Sequence, residues 1–347
     1  MDLRKLYFEV KDHIDKIDFS TLWKGFEPLK YALYDDTSCF LNGEYIEKTA
    51  DFLANTSVLF NSEYIAIWKI TDDIDPEILA SKIIHEMFHA FQEISRETRF
   101  PDELASLKNY NYSAHNLSIK LEENKLIVKL LEHFDSKKFE QLRSLRKFRM
   151  IKHEYEYKYE AAVEQIEGTA TYVELGALEQ ISKEKHQKVL SEMIDNIQDP
   201  IKMIPVRVLS YSVGALFFKL LKENDKMNFD VFSDKLTTVS ILDHVQAFDG
   251  TVQICAKIQE AVDAYFRETD EIIQKAEADN CCVTEGEFDL LGVNVYNARY
   301  RNGYITTTYF VAYAGEGEQT VLHGDFVIKL NEKGKVTKIL KIHHSVQ

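Results

Sequence analysis

The chain has 347 residues, of which 45 % are hydrophobic, 29 % charged and 12 % aromatic, and its formal net charge is −15. Thirteen glycines and five prolines exclude collagen-like and low-complexity chains, and the aromatics supply burial that disordered chains lack. With 57 carboxylates against 42 lysines and arginines, phosphate backbones are repelled and nucleic acid is not an expected partner.

The opening stretch, MDLRKLYFEVKDHIDK, has no apolar region of the signal-peptide kind and reads as a polar helix over about Leu3–Ile17. Strand-like pieces follow at Lys30–Tyr34 and Tyr64–Ile70, with a turn at Asn42-Gly43. Asp75-Pro76-Glu77 then gives a cap, a first-turn proline and a first-turn acid, so a helix runs from here to near Arg96. From Asp102 to Asn224 nearly everything has helical period. Its longest apolar run, Val208–Leu221, is too short and mixed to span a bilayer and reads as a buried helix. Within this region Lys137–Lys152 reads as a solvated basic amphipathic helix.

Charge shifts near residue 280. Residues 281–347 carry seven basic and seven acidic side chains, so the excess lies upstream. This tail alternates in strand fashion at Phe288–Tyr300, Tyr304–Tyr313, Thr320–Leu330 and Val336–Ile342. Turns are expected at Arg301-Asn302-Gly303, Gly315-Glu316-Gly317 and Asn331–Gly334. The expectation is an α+β, mostly helical domain over 1–280 and a small antiparallel β-meander over 281–347. The four cysteines lack C-x-x-C spacing and are expected as reduced, buried thiols, with cytoplasm the expected compartment.

The chemistry is concentrated at His85-Glu86-Met87-Phe88-His89. HExxH on a helix puts two imidazoles one turn apart on one face, where they can bind one zinc ion. Glu86 stands beside the first histidine, placed to take a proton from a water that the metal acidifies. Gln92 and Ser95 occupy the positions where a HExxHxxGxxH site carries its glycine and third histidine, so the third ligand lies farther along. A helix over Tyr159–Glu179 offers Glu160, Glu164, Glu167 and Glu174 on one side. Gly168, Thr169 and Ala170 make a narrow surface there, where another helix can come close. The residues alone leave Glu160, Glu164 and Glu167 open as third ligand, with His115, His133 and His153 as further rivals.

Here the sequence resembles a known family. Glu167-Gly168-Thr169-Ala170-Thr171-Tyr172-Val173-Glu174 is similar to the EGxAxYxE motif of aminopeptidase N-type gluzincins. Ser210-Tyr211-Ser212-Val213-Gly214-Ala215 is similar to their SYSKGA helix, with Val213 at the lysine position. The resemblance implies a thermolysin-like zincin fold and Zn²⁺-dependent peptide hydrolysis. It implies Glu167 as third ligand, Glu174 as the carboxylate steadying a ligand histidine, and Tyr211 as the oxyanion donor. The 77 residues between His89 and Glu167 exceed the family's short hairpin, implying a helical insertion over about 102–152. The family's GxMEN strand, which anchors a free amino terminus, is missing upstream of His85. The expected partner is a peptide or protein substrate, cleaved internally or from an end. A binding protein on a protease-like scaffold and a zinc hydrolase of another bond are the competing expectations.

Overall fold

The computed structural model describes residues 2–226, 234–315 and 317–342, so Glu316 of the second expected tail turn lies outside the described residues. About half of the chain is helical, and the fold is α+β with two largely antiparallel sheets. Helix α1 (Leu3–Ile14) and the single turn α2 (Phe19–Leu22) start at Asp2 and Asp18, whose carboxylates accept from first-turn N–H groups. Strands β1 (Tyr31–Tyr34), β2 (Cys39–Leu41), β3 (Glu44–Ile46), β4 (Thr56–Phe60) and β5 (Glu63–Lys69) form one sheet in the order β3-β2-β1-β5-β4. Asn42 and Gly43, both at positive φ, close the β2–β3 hairpin as a two-residue turn of this kind requires. β4 pairs only with β5 and is an edge strand.

Helix α3 (Pro76–Ile94) begins at the expected cap. Asp75 Oδ1 accepts from the N–H groups of Glu77 at 3.0 Å and Ile78 at 3.2 Å. Its Leu79, Ile83, Ile84, Met87 and Phe88 are buried in the main core, each worth about 1.5–3 kcal/mol of transfer free energy. Phe88 meets Trp23 and Phe26 edge-on at 5.0 and 5.3 Å. This packing makes α3 a rigid carrier for whatever its other face presents.

Helices α4 (Glu103–Asn109), α5 (Ala114–Glu132) and α6 (Ser136–Lys152) fill the stretch expected as an insertion. Next, α7 (Glu154–Val163), a π turn (Glu164–Gly168) and α8 (Thr169–Ile181) run on as one helical rod. α9 (Lys183–Gln198), α10 (Val206–Glu223), the short α11 (Thr237–Ser240) and α12 (Ala256–Asp279) complete the helical part. The apolar run 208–221 lies within α10, and no helix of the described residues is long and apolar enough to cross a membrane.

α6 departs from the expected solvated face. Arg146 and Arg149 on it are each 1 % exposed. They enter the core because acidic partners from α5, α7 and the π turn meet them there, and a buried charge is tolerated only when paired. Of the cysteines, all are free thiols, but only Cys39 is buried.

The tail forms β6 (Cys282–Val293), β7 (Arg299–Arg301), β8 (Tyr304–Thr307), β9 (Phe310–Gly315), β10 (Glu318–His323), β11 (Phe326–Leu330) and β12 (Val336–Lys341). Three expected strands are each split in two, at residues 294–298, at Tyr309 with φ 70° and at Gly324 with φ 133°. Nor is the sheet a simple meander. Its order is β10-β9-β6-β12-β11-β8-β7, with the long β6 paired to β9 on one side and β12 on the other. It has a core of its own, centred on Val293, Ile305, Val311, Phe326, Ile328, Val336 and Ile339.

Candidate metal centre

α3 holds the His85 and His89 rings with their Nε2 atoms 3.1 Å apart. The π turn brings Glu167 Oε2 to 3.2 Å from His89 Nε2 and 3.7 Å from His85 Nε2. A tetrahedral zinc site with bonds of 2.0–2.2 Å has ligand–ligand edges of about 3.3–3.6 Å. The three separations lie around that value, so these residues fit one small divalent cation.

The outer partners turn each ligand inward. His85 Nδ1 donates to Glu174 Oε2 at 3.0 Å, and His89 Nδ1 donates to Gln92 Oε1 at 2.8 Å. Gln92 is fixed in turn, since its Nε2 donates to Ile166 O at 3.0 Å and Thr169 Oγ1 at 3.1 Å. With both Nδ1 atoms engaged, each Nε2 is the atom presented to the common point. Arg207 Nη2 donates to Glu167 Oε1 at 3.0 Å, leaving Oε2 for the histidine side. Glu174 thus stands where the sequence expected it. Gln92 and Arg207 were missed, and the only signal for Gln92 was its occupation of another motif's glycine position.

The acidic stripe read from the sequence is divided. On an uninterrupted α-helix Glu160, Glu164, Glu167 and Glu174 share one face, but a turn holding one extra residue rotates the rest of the rod by about 100°. Glu160 and Glu164 therefore point away from the histidines, into a dry cluster between α5 and α6. There Glu160 Oε2 accepts from Lys120 Nζ and Arg149 Nη1, both at 2.7 Å, and Glu160 Oε1 accepts from the Tyr110 hydroxyl at 2.6 Å. Glu164 accepts from Arg146 Nη1 at 3.1 Å, and Arg149 Nε donates to Glu123 at 2.8 Å. Three carboxylates meet three cations. Neither Glu160 nor Glu164 is placed to join the histidines, which closes that alternative.

Gly168 has a reason to be glycine, though its partner is not the histidine helix. A Cβ there would come 2.6 Å from Gly214 Cα, and one on Gly214 would come 2.8 Å from Glu164 O. The backbone of the π turn thus lies directly on α10. The glycines of the two motif segments face each other, and their contact sets how far Glu167 reaches.

The cleft is not balanced as the dry cluster is. Glu86, Glu93, Glu103, Glu167 and Glu174 stand against two lysine or arginine side chains: Arg207, which donates to Glu103 and Glu167, and Lys82, 3.4 Å from Glu174. Glu86, 8 % exposed, has no cation partner among the described residues, and burial pushes its carboxyl above the usual carboxylate range. Burial acts on Glu174 and Glu167 too, but is overcome. The His85 hydrogen bond and the Lys82 charge hold Glu174 down at about 2. His89, His85 and Arg207 hold Glu167 well below its ordinary value. Burial works against protonated His85, yet its bonds to Glu167 and Glu174 raise it to about 10. With the imidazoles neutral, as metal ligands are, the carboxylates outnumber the cations, and a divalent ion would offset that excess.

The group opens on a cleft of about 320 Å³, lined on one side by Asn55, Thr56 and Ser57 at the start of edge strand β4, and elsewhere by Phe100, Pro101 and Tyr296. Tyr211, on α10, stacks its ring parallel to that of His85 with centroids 6.4 Å apart. Its hydroxyl accepts from Arg207 Nη1 and lies 3.2 Å from the Tyr296 hydroxyl. Burial pushes the Tyr211 phenol above its ordinary value, so it keeps its proton. Tyr296, between β6 and β7, had no signal in the sequence. Compared with known proteins, the chain matches no family model, no curated protein and no solved structure.

Proposed function

We propose that this protein is a zinc-dependent peptide-bond hydrolase of the gluzincin type. The observation that carries the reading is the convergence of His85 Nε2, His89 Nε2 and Glu167 Oε2, at 3.1–3.7 Å from one another, beside a buried Glu86 with no cation partner among the described residues. A zinc ion held by these three supplies a Lewis acid for a carbonyl oxygen and lowers the pKa of a water to about 7. Glu86 takes the proton from the attacking water and passes it to the departing amine nitrogen as the C–N bond breaks. Tyr211, still protonated and polarised by Arg207, donates to the carbonyl oxygen as negative charge builds there.

The shape of the cleft favours an extended peptide. β4 leaves one row of backbone N–H and C=O groups unpaired in its sheet, and the residues at its start line the cleft. A peptide added along that edge pairs through its main chain and brings successive carbonyls past the histidines.

Glu86→Gln tests the reading. The variant should retain zinc at the wild-type stoichiometry and lose at least about a thousandfold in cleavage of a peptide library, assayed by mass spectrometry. Zinc retained in both proteins with no cleavage by either would assign the scaffold to binding instead.

A further inference from the structure

Tyr296 belongs to the C-terminal sheet, yet its side chain lies in the cleft. The turn between β6 and β7 is held by Asn294, whose backbone N–H donates to Thr307 Oγ1 at 3.2 Å and whose Oδ1 accepts from Tyr296 N at 3.3 Å. Asn294 O also accepts from Asn297 N at 3.3 Å and Ala298 N at 3.0 Å. From this anchored turn the tyrosine reaches the wall that it shares with His85, Glu86 and His89. The Arg207 guanidinium lies beside both rings, 4.8 Å from the centre of Tyr296 and 5.2 Å from that of Tyr211. Such contacts fix where each hydroxyl points.

The hydrogen bonds leave one proton unspent. The Tyr211 oxygen accepts from Arg207, so Tyr211 has its single O–H left to donate. The Tyr296 hydroxyl has one protein partner among the described residues, the Tyr211 hydroxyl at 3.2 Å. Between the two oxygens only one proton can be used. Whichever tyrosine donates to the other, the second O–H has no protein acceptor among the described residues, and Tyr296, 52 % exposed, lines the cleft. Two phenols 3.2 Å apart with a spare proton between them can both donate to a third oxygen, once the bond between them is exchanged for bonds to it.

Resting on the hydrolase reading, we infer that Tyr296 is the second hydroxyl donor of the reaction and acts with Tyr211 on the oxygen of the scissile carbonyl. The C-terminal sheet is then part of the catalytic apparatus. Arg207 ties the arrangement together, since one guanidinium contacts Glu167, Tyr211 and Tyr296.

Tyr296→Phe is the informative variant, because it keeps the ring on Arg207 and removes only the O–H. In the zinc-loaded full chain kcat should fall about tenfold to a hundredfold, with KM and zinc content within twofold of wild type. Affinity for a phosphinic pseudotripeptide, Ala-Phe-ψ[P(O)(OH)CH₂]-Ala, measured by calorimetry, should fall by the same factor, because its anionic oxygens occupy the place of the carbonyl oxygen. Tyr211→Phe combined with Tyr296→Phe should depart from the product of the single losses, because donors that share one oxygen are coupled. If Tyr296→Phe leaves kcat and phosphinate affinity within twofold of wild type while Tyr211→Phe loses both, Tyr296 is a wall residue and the inference is overturned. A zinc-loaded wild type that binds no phosphinate overturns the hydrolase reading and this inference with it.

Discussion

One helical rod supplies carboxylates to two neighbouring clusters with opposite electrostatic designs. On the side of α5 and α6, Glu160 and Glu164 join Glu123 against Lys120, Arg146 and Arg149, all of them no more than 1 % exposed. On the side of α3, Glu167 and Glu174 join Glu86 and Glu103 against Arg207 and Lys82. The first set is balanced within itself and sealed, whereas in the second the carboxylates outnumber lysine and arginine and the group opens on a cleft. Burying a charge requires a partner, so the balanced set reads as architecture and the unbalanced one as a place for a cation. The π turn between them lets one stretch of sequence serve both.

The comparison can be broken first on its dry side. Glu160→Gln leaves Lys120 and Arg149 short of one negative charge, so unfolding in urea should cost about 3–5 kcal/mol less than for wild type. The folded fraction should still bind zinc, and a loss under about 1 kcal/mol would mean that the cluster is not the buttress described. Acid should reach the same group. Glu160 is buried, but Arg149 and Lys120 hold its carboxyl at about 2 in the folded chain, below the unfolded value of about 4.3. A depressed folded pKa gives stability that is complete above about pH 4.3 and is lost as pH falls towards 2. Urea midpoints across that window should therefore fall less steeply for Glu160→Gln than for wild type.

On the cleft side, Glu174→Gln should weaken zinc binding about tenfold to a hundredfold, read by competition with a chromophoric chelator. Gly214→Ala probes the joint between the two sides. Its Cβ must displace the Glu164 carbonyl or Gly168, which should cost about 1–3 kcal/mol in urea and weaken zinc binding as Glu167 shifts. The smallest effect belongs to a surface pair. Separating Lys158 from Glu154, both well exposed, should leave the urea midpoint where it is in wild type.

Local signals were the most legible. Asp75 and Pro76 announced the start of α3, and HExxH announced the two histidines and Glu86, because caps and one-turn spacings are properties of a short stretch. Glu167 and Glu174 were legible through a motif resemblance. What failed was the assumption of a constant helical period. A single π turn moved Glu160 and Glu164 off the face on which 3.6-residue spacing had put them. Arg146 and Arg149 looked solvated because their partners lie on other helices, and charge alone does not reveal pairing at a distance. Arg207 and Tyr296 sit in stretches whose chemistry appears only when α10 and the C-terminal sheet close on the cleft. In the tail, alternation located strand-forming residues, but strand order depends on non-local pairing, so β6 between β9 and β12 was not legible.

Metal content separates the two clusters directly: His85, His89 and Glu167 are expected to hold one divalent ion and the balanced cluster none. Zinc per chain should be measured by plasma mass spectrometry after chelator stripping, reloading and desalting, for wild type, Glu167→Ala and Glu160→Gln. The account predicts one zinc for wild type and Glu160→Gln and less than one-tenth for Glu167→Ala. Full retention by Glu167→Ala, or no zinc on the wild type, would contradict it.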